Sequence, residues 1–513
     1  MKKILALLLC AVLLSGCQTE KQPYIPTGDG LYVESTTTLP YQDPVTKEQR
    51  LCLAWDPNQS LNPYQTGSST QRLLFNLMYQ GLFAVDAQYV VHPILCKQYR
   101  VSKDMTTYTF YLEAATFADG TLLTAQDVAA SLLAAKESPV YSGRFQQMVD
   151  ARAEEDGAVT VIMAIPYENL PLLLDVPIVK AEEVDAESPM GTGPYEMRAD
   201  AENRILLRRE NWWCRANMPV TAGYITLVKA STPTELRDAF EFGLIDLVCT
   251  DPGSESYVDF RCDYELWDCE SGYFLYLACY EKSKVFSNVK VRAALTYAIN
   301  RNLLVTEYYQ QFAYGATLPA SPESPWYDQK QASAYDYAPE KLQQAVENAG
   351  LTGSTITLLV NQADGRRIRV AKEIAAMLKE AGLVVTISAL RDTEDNMAYT
   401  NALKNGKYDL HLGQTKLSPN MDLTQFFANK GSLSFGGLTD VVCESLCQEA
   451  MANIGNYYSL HKAVLADAML CPILFKGYAI YASRGTFEKL EPARDAILFY
   501  SLGKSMDACK LKD

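Results

Sequence analysis

Cys17 is the residue whose setting points to one defined reaction. Lys2 and Lys3 precede an 11-residue apolar run, Ile4 to Leu14, which suits the core of an export signal but falls short of the ~20 residues that span a bilayer. The small pair Ser15-Gly16 then leads into the cysteine. Leu14-Ser15-Gly16-Cys17 matches the bacterial lipobox, in which the cysteine sulfur takes a diacylglycerol thioether and residues 1–16 are removed. Two acyl chains hold a protein on a membrane far more firmly than one. The competing reading, a secretory signal followed by a chance cysteine, keeps export and drops the anchor.

Elsewhere the residues that do chemistry show no recognisable spacing. The three histidines, His92, His411 and His461, form no metal-binding pair, and His-Glu-x-x-His, Gly-x-Ser-x-Gly and the phosphate loop Gly-x4-Gly-Lys-Ser/Thr are absent. Gly191-Thr192-Gly193 runs straight into Pro194 and lacks the third glycine of a dinucleotide fingerprint. Cys443 and Cys447 sit at helical spacing and read as one helix face. A Cys-His nucleophile or a two-carboxylate glycosidase site stays open, since such groups meet only in three dimensions. The expectation is no catalytic residue, no metal and no cofactor. Of the 13 cysteines, Cys10 lies in the signal and Cys17 at the anchor, which leaves an odd number in the body. Cys262 and Cys269 form one conceivable disulfide, and the others read as small buried hydrophobes.

These residues must be positioned by more than one core. The chain of 513 residues exceeds the ~250–300 residues that one core sustains, so two or more lobes are expected. Lys plus Arg total 46 against 61 Asp plus Glu, a net charge of −15 that argues against nucleic acid or anionic lipid as a general partner. The 32 tyrosines supply surfaces that are apolar on the ring and hydrogen-bonding at the tip. Gln18 to about Lys47 reads as a spacer, and the fold should start near Arg50. A strand at Arg50–Trp55, a polar loop and a helix over Thr70–Gln80 follow; Thr124-Ala125-Gln126-Asp127 fits a capping box opening a helix to about Lys136. A strand is expected over Gly272–Cys279 and a helix over Asn288–Asn300. From Ser354 the pattern alternates strand, helix, strand, helix, strand as far as Tyr408–Gly413, implying a parallel, right-handed sheet with a ligand-binding edge near Gly413–Asp422.

Five stretches in order resemble the solute-binding proteins of ABC transporters, in the family 5 group serving oligopeptide, dipeptide and nickel importers. They are Leu61-Asn62-Pro63-Tyr64 with Gly81-Leu82; Phe117-Ala118-Asp119-Gly120 with Thr124-Ala125-Gln126-Asp127-Val128 and Ser131; Gly191-Thr192-Gly193-Pro194-Tyr195; Val291-Arg292-Ala293-Ala294-Leu295 with Ala298-Ile299-Asn300-Arg301; and Tyr408-Asp409-Leu410. The resemblance implies an α/β class II periplasmic-binding-protein fold, two lobes with a hinge and an extra subdomain inserted in the first. Residues 48–75, 190–275 and 480–513 would form lobe one, 76–189 its insert, 276–479 lobe two, and 17–47 the tether. It implies ligand contacts at Ser68, Ser69, Tyr141, His411, Gly413, Gln414, Thr415 and Lys416.

Two departures bear on the ligand. Peptide-binding members often carry a tryptophan where this chain has Gln414, and an acid for the ligand's ammonium group where it has Leu417; Asp422 would reach that role only with a rearranged loop. A buried ammonium left unpaired costs several kcal/mol, so free-amine peptides fit poorly, while Lys416 offers a partner for an anion. The implied function is a monomeric receptor, lipid-anchored on the extracytoplasmic face of a bacterial membrane. It would capture a peptide or other small solute and pass it to an ABC permease with its ATPase subunits, without chemical change. An exported hydrolase and a solute sensor without import are the alternatives.

Overall fold

The computed structural model describes residues 50–199, 203–487 and 490–498. Cys17, the spacer 17–47 and the last part of the expected first lobe, 499–513, lie outside the described residues.

The chain builds β1 (Arg50–Trp55), α1 (Ser69–Met78), β2 (Phe83–Val85), β3 (Val91–Pro93), β4 (Cys96–Val101), β5 (Thr107–Leu112), α2 (Ala125–Glu137), β6 (Met148–Ala153), β7 (Val159–Met163), β8 (Tyr195–Ala199) and β9 (Arg204–Arg208). It continues through β10 (Tyr224–Lys229), α3 (Pro233–Glu241), β11 (Leu247–Thr250), β12 (Glu265–Cys279), α4 (Val289–Ala298), α5 (Arg301–Tyr309), β13 (Ala313–Gly315), α6 (Gln329–Ala332) and α7 (Glu340–Asn348). The remainder is β14 (Thr355–Asn361), α8 (Gly365–Glu380), β15 (Val384–Leu390), α9 (Ala398–Lys404), β16 (Leu410–Lys416), α10 (Thr424–Phe427), α11 (Val441–Ala452), α12 (Tyr457–Asp467), β17 (Leu470–Ala482), β18 (Glu491–Pro492) and β19 (Ile497–Leu498).

Eleven described strands share one sheet, in the order β15-β14-β16-β12-β17-β11-β1-β10-β9-β8 with β13 alongside β17. β12 and β17 are the long antiparallel strands at its middle. Their outer parts, Glu265–Glu270 against Gly477–Ala482, belong to the β11-β1-β10 end; Phe274–Ala278 against Leu470–Phe475 belong to the β16-β14-β15 end. The register breaks between Glu270 and Phe274, a bulge between the two ends of the sheet. Gly272 there has φ +78°, the left-handed region open to glycine, and a Cβ on it would fall 2.1 Å from the Arg494 guanidinium.

At one end β1 pairs in parallel with both β10 and β11; at the other β14 pairs in parallel with β15 and β16. The alternation after Ser354 is the reason: each strand is returned by a helix, α8 burying Val370, Ile374, Met377 and Leu378 against the sheet. A separate four-stranded sheet, β4-β5-β7-β6, is backed by α2. The expected capping box opens α2: Thr124 N–H donates to Asp127 Oδ2 (2.8 Å), and Asp127 N–H to Thr124 Oγ1 (3.4 Å).

Several elements differ from the sequence expectation. α1 ends at Met78 because Tyr79 turns extended and Gln80 bridges to Ile178. The helix expected over Asn288–Asn300 is α4, Val289–Ala298: Ile299 is extended, and the Asn300 side chain accepts from Leu303 N–H (3.0 Å) to cap a further helix, α5. β12 starts at Glu265, seven residues before the expected strand, since its first part pairs with Gly477–Ala482 at the β11 end of the sheet. Cys262 and Cys269 carry free thiols, so that pairing is not made: Cys269 is buried in β12 while Cys262 sits half-buried in the loop before it.

Candidate functional site

In parallel α/β sheets the room for ligands lies beyond the carboxyl ends of strands. β1, β10 and β11 end together at Trp55, Lys229 and Thr250. Beyond them is a cavity of about 240 Å³, lined by Asp56, Ser68, Ser69, Ser231, Asp251 and Tyr257 among others. Ser69 and Cys249 also line a small gap of about 10 Å³ around Arg72, Tyr478 and Arg494. Arg72, Asn76, Ala496 and Ile497 carry the wall on into a third space of about 60 Å³, which reaches Tyr141, Arg144 and Asp175. Ser69, Arg72 and Asn76 follow the spacing of one helical face, so the three spaces string along α1. The C-terminal hairpin β18-β19 closes two of them with Ala496 and Ile497.

A group of charges sits at the hairpin tip. Asp495 Oδ1 lies 2.5 Å from Lys416 Nζ, and its Oδ2 lies 2.7 Å from Arg144 Nη2 and 3.3 Å from Arg494 Nε. Arg144 also pairs with Asp175. Arg494 donates to the carbonyls of Leu417 and Ser418 (3.1 Å for the latter). Arg72 donates to Tyr478 OH (3.0 Å) and lies 5.0 Å from that ring's centre. Glu270, in the bulge of β12, accepts from Tyr89 OH (2.5 Å) and from Gly272 N–H.

Burial and neighbours set the protonation states. Burial works to raise the Asp495 pKa, yet Lys416, Arg144, Arg494 and Arg72 together hold it well below the carboxylate range. Burial lowers Lys416 to about 8, against the pull of Asp495, with Arg72, Arg494 and Arg144 adding to the fall. Burial pushes Glu270 upward, opposed by Arg494 and by the Tyr89 hydrogen bond. The arrangement is an anion-holding centre, filled by a carboxylate of the chain's own.

The residues anticipated from sequence fall into three places. Ser68 and Ser69 line the 240 Å³ cavity at the start of α1. Tyr141 lines the 60 Å³ space, with the Arg144 guanidinium 5.3 Å from its ring centre. Gly413, Gln414, Thr415 and Lys416 form the carboxyl end of β16, where strand alternation splits them: Gln414 and Lys416 take one face, His411, Gly413 and Thr415 the other. Pairing with β14 covers Leu410–Leu412, so Gln414–Lys416 pair with β12 alone. His411 is a core residue, 4% exposed, and its Nε2 lies 2.6 Å from Tyr399 OH. Burial, with Arg367 adding, lowers its pKa to about 3. A Cβ on Gly413 would meet the Tyr276 ring at 2.3 Å, so glycine there serves that ring. Asp422 is a turn residue: its Oδ1 accepts from Thr424 N–H (2.8 Å) and Thr424 Oγ1 (2.5 Å) ahead of α10.

Sequence reasoning missed Arg72, Arg144, Glu270, Arg494 and Asp495. A usable signal existed for two of them: Arg494-Asp495 is an ion pair set inside the mostly apolar stretch Leu490–Leu498.

Residues 90–434 match the family model for bacterial extracellular solute-binding proteins, family 5. The chain belongs to that family. Its function is accordingly solute binding for an ABC importer, on an α/β fold of two lobes of the periplasmic-binding-protein class. The glutathione-binding protein GsiB of Escherichia coli K12 is 25% identical over 349 residues, covering 64% of this chain and 67% of GsiB. The fold resembles that of NikA from Brucella suis, solved with Fe(III)-EDTA (TM-score 0.69, 19% identity, covering 88% of this chain and 100% of NikA). It also resembles the oligopeptide-binding protein AppA from Bacillus subtilis, solved with a nonapeptide (TM-score 0.61, 17% identity, covering 89% and 99%).

Proposed function

We propose that this family 5 protein captures a peptide or a similarly sized solute between its lobes and releases it unchanged to a membrane permease and its ATPase. The observation that carries the reading is the string of spaces beyond the strand ends along α1, one of them lined by Asp495, which pairs with Lys416 at the Gln414–Lys416 edge of β16 that no β14 residue pairs. An extended peptide can add to such an edge through main-chain hydrogen bonds. The contact set is Ser68, Ser69, Tyr141, Gly413, Gln414, Thr415 and Lys416, with His411 supporting β16 from behind. Lobe one comprises 48–75, 190–275 and 480–513 with 76–189 as its insert, and lobe two 276–479. Cys17 carries the lipid that keeps a monomeric receptor beside its permease. Relatives whose names mention glutathione or peptides support the size of the solute.

Mass spectrometry of solute carried through purification, released by denaturation, tests this directly: an intact small solute is expected, and hydrolysis products of a supplied peptide pool would overturn the reading in favour of an enzyme. A saturating solute should also raise the melting temperature, by ~2.7 kcal/mol of added stability at a hundredfold excess over Kd.

A further inference from the structure

Asp495 is a carboxylate surrounded by cations, Lys416, Arg144, Arg494 and Arg72. It comes from a two-stranded hairpin, Glu491–Leu498, which pairs Glu491 with Leu498 and Pro492 with Ile497 and closes on hydrogen bonds between Ala493 and Ala496. The hairpin reaches across three parts of the chain: Arg144 and Asp175 beside the four-stranded sheet, Lys416 at the end of β16, and the Gly272 bulge under Arg494. The tip is held by ion pairs and by hydrogen bonds from Lys416 Nζ to Asp495 Oδ1 and from Arg494 to the Leu417 and Ser418 carbonyls, while Asp495 Oδ2 and Arg494 Nε are buried without a hydrogen bond. Around it Arg72, Arg144, Lys416 and Arg494 face Asp175, Glu270 and Asp495, four cations against three carboxylates. Were Asp495 withdrawn, the same cations would face two. The hairpin also fills space: the cavities on either side of it, about 10 and 60 Å³, are far below the ~300–1,000 Å³ of ordinary solute pockets.

We propose that Asp495 is an internal stand-in for a solute carboxylate: a carboxylate-bearing solute displaces it from Arg144 and Lys416, and the hairpin Glu491–Leu498 leaves the cleft as the solute enters. The proposal rests on the solute-capture reading and adds the chemistry of the solute. Displacing the tip would join the two smaller spaces that Ala496 and Ile497 both line, and the incoming carboxylate would restore the charge balance that Asp495 supplies. The hairpin then acts as a competitor that weakens every anionic solute it must yield to, while a solute without an anionic group cannot replace it at the cations.

The test titrates the full chain and its Asp495→Ala and Asp495→Asn variants with glutarate and with the uncharged glutaramide at fixed ionic strength, by calorimetry and melting temperature. Both variants are expected to bind glutarate about tenfold more tightly than the parent, since the competitor is removed, and neither to respond to glutaramide. In the parent, glutarate should speed hydrogen exchange at the amides of Ala493–Ile497. Equal or absent glutarate binding in parent and variants, with exchange in the hairpin unchanged, overturns the proposal and makes the tip a fixed latch. Should Asp495→Ala not fold, the isosteric Asp495→Asn and the exchange measurement on the parent decide alone. Carboxylate exchange without any co-purified solute would leave this centre standing and sink the capture reading; a co-purified solute with no gain in the variants does the reverse.

Discussion

His411 illustrates how one residue type changes meaning with burial. It lies under β16 among the rings of Tyr276, Tyr399 and Tyr408 and stays neutral, its pKa lowered to about 3 by burial and then by Arg367. His461, buried on α12 with no hydrogen bond at either ring nitrogen, is lowered to about 4 by burial. A base whose folded pKa lies below its unfolded value, about 6.5, costs stability as pH falls between the two, because only the unfolded chain takes up the proton. Stability is therefore expected to fall by several kcal/mol from about pH 6.5 toward about pH 4, from these two groups together. His411→Gln should lose less than the parent when urea unfolding is compared at about pH 7 and about pH 4.5; an equal loss would assign the acid sensitivity to His461 and the carboxylates. The resemblance grouped His411 with Lys416, and alternation along β16 separates them, since residues an odd number of positions apart stand on opposite faces of a strand.

At the scale of elements, the stretch most characteristic of the family has a purely structural part to play. Thr124 and Asp127 close the capping box of α2, Asp127 Oδ1 also accepts from Ala181 N–H (2.8 Å), and Ser131 exchanges hydrogen bonds with Val179. Thr124→Ala should lower the unfolding free energy by about 1 kcal/mol and leave solute affinity unchanged, as judged by denaturant melts and calorimetry; a change in affinity would bring α2 into the binding machinery. Caps, helix faces and the strand-helix alternation after Ser354 were legible in the sequence because each depends on residues a few positions apart. The anion centre was not, because Arg72, Arg144, Glu270, Lys416 and Asp495 span more than 400 positions and meet only through the sheet. Of the expected contacts, Ser68, Ser69 and Tyr141 line cavities and Lys416 reaches a carboxylate, though one from its own chain. β12 was half read for the same reason: its polar start, Glu265–Glu270, shows no apolar run, and only pairing with Gly477–Ala482 makes it a strand.

At the scale of the whole molecule, hydrogen bonds bridge distant parts of the chain away from the cleft as well as within it. Glu255, in the loop after β11, accepts from Gly365 N–H (3.1 Å) at the start of α8, and Arg366 donates to the carbonyls of Pro252 and Ser254 (3.2 Å each). On the far side Glu168 N–H donates to Met451 carbonyl (2.7 Å) and Asn420 Nδ2 to Tyr167 OH (2.6 Å). An acid at a helix N-terminus contributes roughly 0.3–1 kcal/mol, so Glu255→Gln should raise solute Kd about threefold without touching the pocket. Calorimetry with the co-purified solute checks it, and an unchanged Kd would mean that this contact persists in the open form.

β12 and β17 give the molecule an inseparable anatomy. Each of the two strands is a middle member of both sheet halves, and β17 is followed by the hairpin that returns to the bulge between them. Neither half can therefore be excised as a self-sufficient module, since cutting at the bulge would strip both sheets of their central strands at once. Motion between the halves must be a twist or bend of a paired ribbon, with the hydrogen-bonded ladder on either side of Gly272 kept whole. A bend at the bulge would leave both ladders intact, whereas unfolding would break them together.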